Sequence, residues 1–149
     1  MRCVVQRVRE AAVTIDGERF SSIGAGLLVL AGISRDDRDA DLAWMSRKLP
    51  NLRIFEDDEG RMNRSRKETG GELLVVSQFT LYADASRGNR PGFTESAPSE
   101  VAQPIFDRFV EMLRCDSELT VETGSFGADM QVSLINDGPV TIILESPKK

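Results

Sequence analysis

The sequence contains no histidine. Imidazole is the side chain whose unperturbed pKa lies nearest neutral pH, so its absence excludes Ser-His-Asp and Cys-His relays built within one chain. The commonest zinc ligand goes with it. The two cysteines, Cys3 and Cys115, lie far apart without CxxC spacing, which is too few for a structural zinc site. Both are expected to be reduced and structural, as in an intracellular protein. No metal and no cofactor is expected. No apolar run approaches the roughly 18 residues that a membrane span needs. The opening MRCVVQRVRE alternates charged and β-branched residues and lacks the continuous apolar region of a signal peptide. A cytoplasmic location without a membrane partner is the expectation. Repeats, low-complexity segments and long linkers are also missing.

What is present fits one domain, residues 1–149, with 40% hydrophobic and 29% charged residues. The net charge of −5 argues against nonspecific nucleic-acid binding, and no DNA partner is expected. Charge is unevenly spread, however. Residues 36–41 are acidic, whereas Arg61, Arg64, Arg66 and Lys67 fall in a run without any acid. Such a run reads as a solvated loop or as a local basic surface.

Val4, Val5 and Val8 open a strand. Asp16-Gly17 is suited to a two-residue hairpin turn between 13–15 and 19–20. Leu27 to Ala31 reads as a buried strand. Ser34 is placed to cap a helix with Asp37 three residues on, and Leu42, Met45 and Leu49 give that helix its spacing up to Pro50. Leu52 to Phe55 reads as a strand, and so does Leu73 to Val76. A second helix carries Val101, Ile105, Phe109, Met112 and Leu113 on its apolar face, with Pro104 in its first turn or kinking it. Further strands are expected at 119–123, 130–135 and 140–145. Many strands and two helices predict a single layered α/β domain, a mixed sheet covered by helices.

Three stretches carry candidate chemistry. Ser77-Gln78-Phe79-Thr80 begins where a buried strand ends, so its polar groups either line a pocket or satisfy backbone groups at the strand end. No base able to activate Ser77 or Thr80 is identifiable. In the loop 83–93, Arg87 and Arg90 are either phosphate ligands or ordinary surface arginines. Finally, Gly138-Pro139 sits between two apolar runs. Proline has no amide to donate, so it interrupts pairing, starts a strand, or marks a tight turn.

These stretches, with their surroundings, resemble the D-aminoacyl-tRNA deacylase family almost end to end. The resemblance runs through MRCVVQRV, GAGLLVLAGI, LRIFEDDEGRMNRS, GELLVVSQFTLYADASRGNRPGF and NDGPVTIILES. Both defining motifs, SQFT and the Gly-Pro of NDGPVT, are intact. Departures such as Cys3 and Gly92 lie outside them. The resemblance implies a mostly antiparallel, barrel-like sheet with two main helices and an obligate homodimer. It implies hydrolysis of D-aminoacyl-tRNA and of glycyl-tRNA, with Ser77, Gln78, Phe79 and Thr80 at the catalytic site. It implies a cis bond at Gly138-Pro139, acting in the partner subunit's pocket to reject L-amino acids, and catalysis assisted by the substrate's own ribose. Arg61, Arg64, Arg66, Lys67, Arg87 and Arg90 become candidates for tRNA contact. Two rivals stand beside this: a non-catalytic RNA-binding module of the same fold, and a hydrolase using Ser77 or Thr80 as nucleophile.

Overall fold

The computed structural model describes residues 1–148. In chain order, β1 (Arg2–Ile15), β2 (Glu18–Ile23) and β3 (Gly26–Gly32) lead to α1 (Asp39–Lys48). A two-stranded ribbon, β4 (Phe55–Glu56) and β5 (Met62–Arg64), precedes the one-turn α2 (Arg66–Thr69). Then come β6 (Glu72–Ser77), the long α3 (Ser99–Ser117), β7 (Thr120–Thr123) and β8 (Gln131–Glu145). The main sheet runs β2-β1-β3-β6-β7, and β8 pairs with the other edge of β1. β1 pairs antiparallel with β2, β3 and β8, while β3-β6 and β6-β7 are parallel. The sheet curls towards closure: the Ser21 hydroxyl of β2 donates to the Thr123 carbonyl of β7 at 2.7 Å. This is the mixed, barrel-like sheet with two main helices that the sequence predicts.

β3 and β6 lie at the centre, and both of their faces are buried. Leu27, Val29, Leu73 and Val75 face a core shared with the helices; Leu28, Leu74 and Val76 face the inside of the curled sheet. That explains why both strands are continuous apolar runs rather than alternating ones. α1 and α3 cover the first face with Leu42, Met45, Phe106, Phe109 and Leu113. The Asp16-Gly17 turn is as expected, with φ of 51° and 77°, the positive values a two-residue hairpin requires.

Four local expectations are corrected. Ser34 does not cap α1. It forms a bridge with Ser96, and the helix starts at Asp39, where the Asp41 carboxylate accepts from the Arg38 amide at 2.9 Å. Of the expected strand 52–55 only Phe55 pairs, because proline-ended α1 runs on as a 3-10 turn through Asn51. On α3, Val101 is exposed and Ala102, Phe106 and Val110 are buried instead. The apolar stripe is thus rotated from the expected one, and Pro104 falls on the exposed side of the second turn. There its missing amide leaves a carbonyl that water can reach. Lastly, residues 131–145 form one strand, not two. Its ladder with β1 shifts between Gln6 and Val8, so that residues 137–140 bulge out between the pairs Val8↔Asn136 and Gln6↔Thr141.

Candidate active site

Parallel strands β3 and β6 end side by side, and a cavity of about 620 Å³ opens beyond them. The end of a buried strand is rigid because both of its faces are packed, and the chain that leaves it is the first backbone free to serve a ligand. Ser77, Gln78 and Phe79 line the cavity, as the first expectation for that stretch required. The start of α3 (Ser99, Ala102) forms another wall, and the segment before and within β8 (Phe126, Met130, Val132) closes the far side.

Backbone bonding decides which groups are available there. The Gln78 amide continues the ladder and donates to Ala31 O at 2.8 Å. It is therefore committed to structure. The following residues turn into a short 3-10 helix, Phe79–Tyr82. The first amides of such a helix have no acceptor within it, which leaves the N–H groups of Phe79 and Thr80 as candidate donors. The Gln78 side-chain amide donates to the Thr80 hydroxyl. Thr80 itself does not line the cavity. Phe79 is 57% exposed, unusual for so large an apolar ring, and meets Phe93 edge-on with centroids 5.1 Å apart. An aromatic pair at a pocket mouth suits a flat apolar ligand.

Among the described residues, only two charged side chains line the cavity, Arg35 and Asp129. Neither was singled out in the sequence, since neither sits in a motif. Cys3 lies away from it, and burial pushes its thiol up to about 12, which keeps it protonated and inert. No group of three or more metal-ligating residues occurs among the described residues. The site can position and hydrogen-bond a ligand, and no histidine exists to serve it as a base.

Gly138 and Pro139 are elsewhere. The bond between them is cis, both residues are exposed, and neither lines this cavity. Gly138 lies six positions along β8 from Val132, roughly 20 Å at strand spacing. The bulge is nevertheless held firmly. Arg7 is buried, and its Nε donates to Asp137 O at 2.9 Å while its Nη1 donates to Ile54 O at 2.7 Å. From the other side, Asn136 Nδ2 donates to Arg7 O at 3.2 Å and to Val140 O at 3.1 Å. Gly138 has φ of 136°, and a Cβ there would lie 2.8 Å from Val140 Cγ2 and 3.2 Å from Arg7 Nη2. Only glycine fits. Arg7 was missed in the sequence, yet a signal existed: it continues the inward alternation of Cys3 and Val5, so a strand reading with period two places it inside.

The basic run is largely spoken for. Arg61 pairs with Glu59 at 3.3 Å and Arg64 with Asp58 at 2.9 Å. The Arg66 guanidinium lies 3.7 Å over the Phe55 ring and donates to Gly70 O, and burial holds its pKa below the usual arginine value. Lys67 donates to Asp116 O at 3.0 Å. By contrast, Arg87 and Arg90 stand exposed at the tip of a loop whose stem is closed by paired bonds between Asp84 and Gly92, each 2.8 Å.

The pocket at the end of β6 thus offers polar side chains, two amides without a helical acceptor and an aromatic pair to a ligand. The model of the D-Tyr-tRNA(Tyr) deacylase family matches residues 4–145. The chain is 91% identical to a D-aminoacyl-tRNA deacylase of Chlorobaculum parvum, with all of both chains covered. It is 76% identical to the one from Chlorobaculum tepidum, covering 100% of this chain and 99% of the relative. Among solved structures, a c-Myc DNA unwinding element binding protein superposes with a TM-score of 0.94 at 48% identity, over 99% of this chain and 100% of that one. A probable eukaryotic D-amino acid tRNA deacylase shares the fold, with a TM-score of 0.84 at 18% identity over 97% and 98% of the two chains. The chain belongs to the D-Tyr-tRNA(Tyr) deacylase family and is an enzyme of that class.

Proposed function

We propose that the protein hydrolyses the ester between a D-amino acid, or glycine, and the terminal adenosine of tRNA, and that it rejects L-aminoacyl-tRNA. The observation that carries this reading is the pair of separated half-sites. One is a cavity with Ser77, Gln78 and Phe79 on its wall; the other is the clamped Gly138-Pro139 bulge, exposed and roughly 20 Å along its strand from that cavity. A bulge too far away for its own pocket is suited to the pocket of a second copy, so the working unit is a homodimer. Main-chain oxygens of Gly138 and Pro139 then form a wall beside the substrate's α-carbon. A D side chain points away from such a wall and an L side chain collides with it, which is discrimination by steric rejection. Glycine has no side chain to collide, so glycyl-tRNA is accepted.

Catalysis needs little from the protein because the aminoacyl ester is already activated. The vicinal ribose hydroxyl of the substrate orients or activates water. The Phe79 amide, with Thr80 N–H beside it, stabilises the developing oxyanion, and the Ser77 and Gln78 side chains orient the ribose or amino group. The Phe79 ring packs on the adenine. Thr80 has a positioning role through Gln78 rather than a nucleophilic one, in keeping with its place outside the cavity lining. For the tRNA acceptor end, Arg87 and Arg90 are the favoured contacts, because Arg61 and Arg64 already face acids and Arg66 and Lys67 already bind carbonyls.

The test is deacylation of matched D- and L-aminoacyl-tRNA, each with a terminal adenosine or a terminal 2′-deoxyadenosine. The D-ester with the ribose hydroxyl should be cleaved, its deoxy counterpart far more slowly, and the L-ester left intact. Equal cleavage of D- and L-esters sinks the reading, and binding without cleavage of either favours the RNA-binding rival.

A further inference from the structure

The cavity at the ends of β3 and β6 has a neighbour. A second cleft of about 660 Å³ is lined by Arg2, Arg38, Tyr82 and Lys148, among others, and Arg35 lines both. Charge in the second cleft is mixed. Arg2 pairs with Glu145, and Asp36, Asp41 and Glu95 offset the remaining cations. Such a cleft does not attract a polyanion along its length.

Arg35, at the junction, differs from its surroundings. It has no ion pair among the described residues, although it is exposed. It is nonetheless held in place: its amide donates to Glu95 O at 3.3 Å, and its Nε donates to Thr94 O at 2.9 Å. With Nε fixed, the two Nη groups remain as a fork for an outside acceptor, the geometry that matches phosphate. Pro98 and Ser99, at the start of the 19-residue α3, line the same cavity, and Pro98 contributes no side-chain cap. The positive end of that helix therefore reinforces the field at the junction.

We infer that Arg35 holds the phosphodiester that precedes the terminal adenosine of the nucleic-acid substrate. The inference rests on the deacylase reading for the identity of that substrate. An adenosine seated in the first cavity with its 5′ side towards the junction places its phosphodiester beside Arg35, the only guanidinium lining that cavity. The contact gives the enzyme a means of telling a polynucleotide ester from a nucleoside ester: one charge, placed one linkage from the scissile bond.

The experiment measures binding of an uncharged hairpin RNA with a single-stranded CCA end, by fluorescence anisotropy. The probe is made twice, once natural and once with the last phosphodiester replaced by a neutral methylphosphonate. For the wild-type protein the replacement should weaken binding about tenfold, the scale of a charge-assisted hydrogen bond at an exposed site. Arg35→Ala should bind the natural RNA about tenfold more weakly and be indifferent to the replacement, while Arg35→Lys recovers part of the loss. The slope of log affinity against log salt should fall by about 0.7, one single-strand phosphate contact. In turnover, Arg35→Ala should raise KM for D-aminoacyl-tRNA about tenfold, and KM for D-aminoacyl-adenosine far less. Losses that simply add in the double substitution, equal loss on the nucleoside ester, or no binding of the RNA by the wild type would each overturn the inference. The binding arm does not depend on hydrolysis, so it fails or succeeds separately from the deacylase assay.

Discussion

The two halves of the site are built in opposite ways. Ser77–Phe79 stands at the end of β6, a strand whose four preceding residues are all buried. Asn136–Pro139 stands on β8, a strand paired only with β1, half of whose residues face outward. The first is rigid because of what lies beneath it. The second is held by two side chains: Arg7 on β1 binds the Asp137 carbonyl, and Asn136 binds the carbonyls of Val140 and Arg7. Burial and clamping are thus alternative means to a fixed backbone, and they fail differently. A buried strand end tolerates exposed substitutions nearby, whereas a clamped bulge depends on single bonds.

The sharpest way to break this comparison is Gly138→Ala. The added methyl group meets Val140 and Arg7 at a positive φ, so the bulge must move. Discrimination between D- and L-esters should drop about 100-fold, the usual consequence of displacing a positioned group by an ångström. Paired D- and L-aminoacyl-tRNA turnover checks it, and unchanged selectivity would detach the bulge from recognition. Next comes Arg7→Met, which keeps the bulk and deletes the clamp. It leaves the Asp137 and Ile54 carbonyls unpaired, at about 1–3 kcal/mol for each buried group. Urea unfolding should register that loss, together with a smaller fall in selectivity than Gly138→Ala produces.

On the other half-site the expected effects are small. Thr80→Val removes a hydroxyl that lies outside the cavity lining and should lower kcat by no more than about threefold, the scale of a lost exposed hydrogen bond. A loss near that of a missing nucleophile, or a trapped acyl-enzyme, would reverse the assignment. The smallest effect is expected at Asp57→Asn. The Arg61 amide, followed by the Glu59 amide and the Asn63 side chain, holds the Asp57 carboxyl below its ordinary value. A depressed folded pKa contributes stability above the unfolded value and loses it as pH falls through the folded one. Thermal melts of Asp57→Asn should therefore lie slightly below wild type at neutral pH and converge with it in acid.

Legibility followed the same division. The strand end at Ser77 was readable because a run of four apolar residues followed by polar ones has a single sensible placement. The α1 and α3 spacings were readable too, although the stripe on α3 came out rotated: Val101 faces solvent, and its neighbour Ala102 enters the core instead. Ser34 was misread because a capping residue is recognised by local spacing, and here a bridge to Ser96, far along the chain, claims it. Arg35 and Asp129 carried no local signal at all. The basic run 61–67 read as a solvated loop or a local basic surface in the sequence, and acids two to six residues upstream and a ring at Phe55 absorb much of it.

Taken alone, the order of amino acids settled what could be decided by near neighbours: the absence of an imidazole mechanism, the buried strands, the hairpin at Asp16-Gly17, and the two motifs that mark the family. Tertiary structure alone decided that 131–145 is one strand with a bulge, that Arg7 reaches across roughly 130 residues of sequence to hold it, and that a single unpaired guanidinium stands between two cavities. Each of these depends on groups brought together by the curling of the sheet. Side-chain hydrogen bonds and charge pairing act over a few ångströms of space, a distance that separation along the chain does not encode.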